Sequence, residues 1–173
     1  KSNKQNEFTL LLDELKRKKV SGQPVNTVLD FCLGSLINIL GAERSSMMRY
    51  DSTTKELKVC AAKGYKVYPI SGIPVKWGEG IAGVALKEAK IISITKLKET
   101  NRAHLLSRLM NHEEAPEIKL RSLLCIPLLE NEKPLGVVNI STINFYKNFE
   151  ASEIEMANHV VSRMTELVKE LSA

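Results

Sequence analysis

Residues 122–142 read Ser-Leu-Leu-Cys-Ile-Pro-Leu-Leu-Glu-Asn-Glu-Lys-Pro-Leu-Gly-Val-Val-Asn-Ile-Ser-Thr. Two apolar runs of strand length flank a polar segment, Glu130 to Pro134, which predicts a hairpin with strands over Ser122–Leu129 and Leu135–Thr142. Pro127 has no amide hydrogen to give a ladder, so its strand needs an edge or a bulge at that point. Gly136, two residues after Pro134, eases the chain back into extended structure. Alternation puts Asn139 and Ser141 on one face of the second strand and does not say which face.

Working outward, a second hairpin is expected from Arg44–Asp51 and Leu57–Ala62, joined by the polar loop Asp51–Lys55 and ended by Gly64. A loop punctuated by Pro and Gly runs from Tyr65 to Ile73. A short strand at Pro74–Trp77, a helical turn at Ile81–Ala89 and a strand at Ile91–Ile94 follow. Residues 96–117 are the least regular, with a helix expected near Arg102–Asn111. At the N-terminal end, Phe8, Leu11, Leu12 and Leu15 recur at helical spacing, which predicts a helix over Asn6–Lys19. Val25, Val28, Leu29, Cys32, Leu36 and Leu40 trace a second helix stopped by Gly41. A single long helix from Ala151 to Leu171 closes the chain, with Glu153 at its positive end. Helices at both ends of a mainly antiparallel sheet make an α+β layered domain.

The chain has 173 residues, 43% hydrophobic and 26% charged, ordinary for a globular domain with its own core. Its longest apolar stretches fall far short of the roughly 20 residues that span a bilayer. The opening Lys-Ser-Asn-Lys is not a signal peptide and lacks an initiator Met, so the chain reads as a piece of a longer protein. The net charge of +5 is modest, and its one basic run, Lys16–Lys19, has no interleaved aromatics, which fits a helix C-terminus better than a nucleic-acid or membrane contact. Cys32, Cys60 and Cys125 are far apart among apolar neighbours, without metal-ligand or dithiol spacing, and point to a reducing cytoplasm. Gly78, Gly80 and Gly83 match a dinucleotide fingerprint in letters, but the unit from Ile73 to Ile94 is too short for a βαβ crossover, so a structural turn is expected. His104 and His112 lie eight residues apart with Glu113 nearby, and no assured third ligand completes a metal set. No metal is expected.

Four segments together resemble the GAF family of sensory and regulatory domains. They are Gly78-Glu79-Gly80-Ile81-Ala82-Gly83-Val84-Ala85, Ser122-Leu123-Leu124-Cys125-Ile126-Pro127-Leu128, Leu135-Gly136-Val137-Val138-Asn139-Ile140 and Phe149-Glu150-Ala151-Ser152-Glu153. They occur in the family's order across about Pro24 to Leu171. The resemblance implies a PAS-related fold. A central antiparallel sheet of five to six strands has terminal helices on one face, and a loop-and-helix segment covers a pocket on the other. Residues 1–23 are then an N-terminal helix or linker, and residues 24–173 the domain.

The pocket of similar domains would here be covered by Trp77–Gly83 and Thr95–Glu117. Tyr50, Trp77, Ile94, His104, Asn139 and Ser141 are the candidate ligand-binding residues. Ile154, Ala157, Val161, Met164, Val168 and Leu171 are spaced as a coiled-coil seam and are the candidate dimer and signalling residues, beside Val160 and Leu167. The resemblance implies a non-catalytic, small-molecule-sensing and dimerising module of a larger cytoplasmic signalling protein. Its partners would be a covalently linked effector (kinase, nucleotide cyclase or phosphodiesterase, or transcription activator) and a second copy, with no nucleic acid or membrane. Thr142-Ile143 stands where cyclic-nucleotide-binding relatives carry Asn-Lys, which counts against that ligand, and no cofactor is required. Two alternatives stay open. One is a redox enzyme like the free methionine sulfoxide reductases of this family, using Cys60 or Cys125. The other is an assembly-only domain with no ligand.

Overall fold

A computed structural model describes residues 2–65, 74–96 and 120–171. Its elements run α1 (Ser2–Val20), α2 (Val25–Leu40), β1 (Arg44–Asp51), β2 (Glu56–Lys63), β3 (Val75–Lys76), α3 (Gly80–Glu88), β4 (Ile92–Ile94), β5 (Ser122–Glu130), β6 (Lys133–Thr142), α4 (Ala151–Arg163) and α5 (Thr165–Leu171). The six strands form one sheet in the order β3-β2-β1-β6-β5-β4, and every pair is antiparallel. The helix expected near Arg102–Asn111 lies outside the described residues.

Each strand sorts its side chains by alternation onto two cores. Val138 and Ile140 of β6, Leu124, Ile126 and Leu128 of β5, and Met47 of β1 meet Phe8, Leu33, Val161 and their neighbours from the terminal helices. Val137, Cys125, Leu123, Met48 and Leu57 face the other way, onto Val75 and onto Ile81, Ala82, Ala85 and Leu86 of α3. α1 is part of the first core, because Phe8, Leu11 and Leu15 are buried in it.

The central hairpin is tighter than its composition indicates. β5 and β6 run on to Glu130 and Lys133, and the turn is the pair Asn131–Glu132, both at positive φ (48° and 65°). Pro134 therefore sits inside β6, opposite Leu129, where the register shifts. Pro127 is accommodated because β4 stops opposite Cys125, so no strand asks for its missing amide on that side. Gly136 is required by close approach: a Cβ there would lie 2.2 Å from the Met48 carbonyl oxygen on β1.

The closing helix is not single. It breaks at Met164, whose amide bonds back to Val161 O at 3.0 Å, before α5 restarts at Thr165. Val161, Met164, Leu167 and Val168 stay buried on both sides of the tightened turn. At its start, Glu150 and Glu153 form a reciprocal capping box. No described helix is long and apolar enough to cross a membrane.

Candidate functional site

The face of the sheet away from the terminal helices carries the predicted residues, but the structure divides them. Tyr50 and Trp77 meet at one end, ring centroids 5.1 Å apart and tilted by 43°. Both pack on the second core beside Met48 and Leu57. Asn139 and Ser141 sit at the other end, opposite Ser46 and Arg44 of β1, with Met48 and Val137 in between. Ser46 and Tyr50 are four residue steps apart along β1, roughly 13 Å of strand. Ile94 belongs to the Ser141 end, since it pairs with Leu123, which pairs with Ser141. His104 lies outside the described residues, as do His112 and Glu113.

The Ser141 end is polar where a sheet face in a core is normally apolar. Arg44, Ser46 and Ser141 are all buried, at 6%, 4% and 4% exposure. Asn139 Nδ2 donates to Ser46 Oγ at 3.4 Å, leaving Asn139 Oδ1 buried without a donor. Arg44 Nε is likewise buried without an acceptor. The guanidinium carbon of Arg44 stands 4.7 Å from the centre of the Tyr65 ring, a cation–π contact that holds the side chain over the sheet. Burial raises the Tyr65 phenol above its ordinary pKa, against the opposing pull of Ser46, Arg44 and Ser141.

Arg44 has no carboxylate within ion-pair reach among the described residues. Its neighbour Glu43 is committed elsewhere, accepting from the Asn144 amide at 2.9 Å and from Ile143 N. Burial alone would raise the Glu43 pKa, but those amides, the Asn144 side chain and the Arg44 charge outweigh it and hold the carboxyl below its usual value. A buried donor and acceptor left unpaired cost about 1–3 kcal/mol each, and a buried charge costs more. Neither atom finds a partner among the described residues.

Arg44, Ser46 and Tyr65 escape the sequence reading because a lone basic residue at a strand start ordinarily faces solvent. The signal available is alternation along β1, which puts Arg44 and Ser46 on the same face as Met48 and Tyr50.

The thiols are poorly disposed for redox chemistry. Burial raises Cys32 to about 12, against the pull of Lys19 and Lys18. Cys60 lies exposed on β2, and desolvation by its neighbours still raises it to about 11, against the pull of Arg49. Burial pushes Cys125 further in the same direction. Cys60 on β2 and Cys125 on β5 are separated by β1 and β6, so three strand spacings put them roughly 14 Å apart, beyond disulfide reach.

Three other features have structural roles. The glycine segment is a turn: Gly78 N donates to Gly83 O at 3.1 Å, and a Cβ on Gly83 would lie 2.5 Å from Lys76 O. A groove of about 380 Å³ lies between α1 and α4–α5, away from the sheet face. Lys19 on its wall is taken up by Arg163 O at 2.9 Å and by Glu166. Of the coiled-coil-spaced residues, Ala157, Val161, Met164 and Val168 are buried in the domain's own core, and Ile154 and Leu171 pack at its edge.

The same architecture recurs in solved structures. The GAF domain of a phosphoenolpyruvate-protein phosphotransferase from Acinetobacter aligns over 99% of this chain and 96% of its own, with a TM-score of 0.80 and 13% identity. The corresponding domain from Coxiella burnetii gives 96% and 98% coverage, a TM-score of 0.74 and 18% identity. Free methionine-R-sulfoxide reductase from Neisseria meningitidis, solved with its substrate, gives 95% and 91% coverage, 0.67 and 14%. At these identities the likeness is one of fold. No curated protein matches the chain in sequence. The GAF domain family model matches residues 22–168, nearly the whole described fold. The chain therefore belongs to the GAF domain family.

Proposed function

We propose that this GAF domain is a non-catalytic sensor, which binds a small molecule at the Arg44–Asn139 end of its sheet and reports it through its terminal helices to an attached effector. The observation that carries the reading is the pair of buried, unpartnered polar atoms, Arg44 Nε and Asn139 Oδ1, on a face that is otherwise core. A ligand that fills both removes a standing cost and so shifts the population toward the bound packing. The setting is a reducing, cytoplasmic one, in keeping with three free thiols.

The raised thiols argue against the reductase alternative, because the thiolate is the nucleophile. The Neisseria neighbour keeps that alternative in play. Incubating the domain with free methionine sulfoxide and dithiothreitol separates the readings. No methionine above the protein-free rate is expected, and turnover that disappears in Cys60→Ser or Cys125→Ser would replace the sensor with an enzyme.

Association of two copies through outward rows of the terminal helices is part of this proposal. The coiled-coil-spaced residues expected to form the seam are packed in the domain's own core or at its edge, so the pairing would use other rows of these helices. Light scattering of the purified chain tests the pairing: a mass of twice 19.3 kDa is expected, and a monomer at high concentration would remove it.

A further inference from the structure

We propose that the molecule received at this site is a small organic carboxylate with a hydrogen-bond donor close to its charged group. The inference rests on the sensor reading above and narrows it to a chemical class. Arg44 is the only cation among the residues of the polar cluster, and its burial is what sets the class. A guanidinium presents its donors in a planar fork that matches a carboxylate, and Arg44 Nε is one such donor with no acceptor. Within the cluster, Ser46, Tyr65, Asn139 and Ser141 offer hydroxyls and an amide but no negative charge. The adjacent Glu43 feels the Arg44 charge, yet its carboxylate is bonded to Ile143 and Asn144, which leaves the Arg44 fork for an anion carried by a ligand.

Asn139 supplies the second half of the recognition. Its amide nitrogen is occupied by Ser46 Oγ, so its free atom is an acceptor, Oδ1, which calls for an N–H or O–H on the ligand. Arg44 pairs with Ser141, and Ser46 pairs with Asn139, so Arg44 and Asn139 are diagonal neighbours on adjacent strands. Such neighbours lie roughly 7–8 Å apart at Cα, and both carry an unpartnered buried polar atom. A donor one or two bonds from the carboxylate fits that span. Ile94, Leu123 and Cys125 make the neighbouring part of the face apolar.

The test is a titration of the isotope-labelled domain, following the Arg44 Nε–H and Asn139 side-chain amide signals by nuclear magnetic resonance. The probes are acetate, its neutral isostere acetamide, and glycolate, which adds a hydroxyl beside the carboxylate. Acetate is expected to shift the Arg44 signal saturably while acetamide at the same concentration does not. Glycolate is expected to bind roughly 3- to 10-fold more tightly than acetate, the increment of one hydrogen bond. Asn139→Leu should erase that increment and keep acetate binding. Arg44→Met should abolish both responses with the backbone amide spectrum otherwise intact, and Arg44→Lys should retain part of the acetate response. Equal binding of acetate and acetamide would overturn the carboxylate assignment and leave the sensor reading standing. No response to any probe would overturn both.

Discussion

Arg49 Nη1 donates a 2.6 Å hydrogen bond to the backbone carbonyl of Leu171, tying β1 to the last turn of α5. Arg49 points to the helix side of the strand, as does Ser45, whose hydroxyl donates to Leu33 O of α2 at 3.0 Å. Arg44 and Ser46 on the same strand face the polar cluster. One strand thus has the candidate ligand site on one side and two helix contacts on the other. Under the proposed function, these two bonds are the direct connection between the site strand and the terminal helices.

Arg49→Ala is expected to loosen α5 locally, by about 1–2 kcal/mol, the worth of a charge-assisted bond at a helix C-terminus. Hydrogen exchange of residues 165–171 should accelerate while that of β5 and β6 stays unchanged. Unchanged exchange in α5 would show that the bond contributes nothing to the helix end.

Arg44→Met is expected to stabilise the ligand-free domain by about 1–2 kcal/mol, or roughly 2–8 °C in Tm. The substitution removes a buried charge that has no ion-pair partner among the described residues and keeps most of the apolar stem. A purely structural arginine would behave in the opposite sense, and a fall in Tm would mark it as such.

Gly136→Ala is expected to cost at least about 2 kcal/mol, because the new Cβ would meet the Met48 carbonyl oxygen at 2.2 Å and push β6 off β1. Thermal unfolding reads this directly. Glu132→Gly, at the positive-φ turn of the same hairpin, should raise stability by about 1 kcal/mol.

The contrast between those two positions shows what the sequence discloses. Strand alternation identified the hairpin, and the glycines, Pro127 and the Phe149–Glu153 entry placed the chain in its family. The turn at Asn131–Glu132 was not legible, because Glu has no preference for positive φ and the sheet imposes it. Nor was the break at Met164, because the apolar spacing runs through it unchanged. At the site, Asn139 and Ser141 were readable as a pair. Their partnership with Arg44 and Ser46 depends on β1 lying beside β6, a pairing between segments some ninety residues apart that local pattern does not encode.

Acid should loosen the α1–α4 contact. Glu153 is buried, which by itself raises its pKa, but Lys4 Nζ at 2.9 Å, the Glu150 amide at 3.0 Å and Lys147 Nζ at 3.2 Å outweigh burial and hold it below the ordinary value. With the folded pKa depressed, the stabilisation is complete above the unfolded value of 4.5 and is lost as pH falls through the lower folded one. Glu153→Gln should therefore cost about 1–2 kcal/mol at pH 7 and much less at the acid end, where the wild-type carboxyl is itself protonated. Parallel pH–stability curves for the two proteins would contradict this.

Thiol titration with an aromatic disulfide reagent at pH 8 should find all three cysteines slow in the folded state. Cys60, at about 11, has roughly one thiolate in a thousand molecules at that pH. Fast modification of one thiol would indicate an activated nucleophile and favour the reductase alternative.

Native mass spectrometry of the gently purified domain, beside its Arg44→Met variant, tests the central claim most directly. We expect the wild type to carry an additional non-covalent mass of small-molecule size that denaturation releases and that the variant lacks. Bare chain mass in both proteins, or the same extra mass in both, would contradict a ligand held by Arg44.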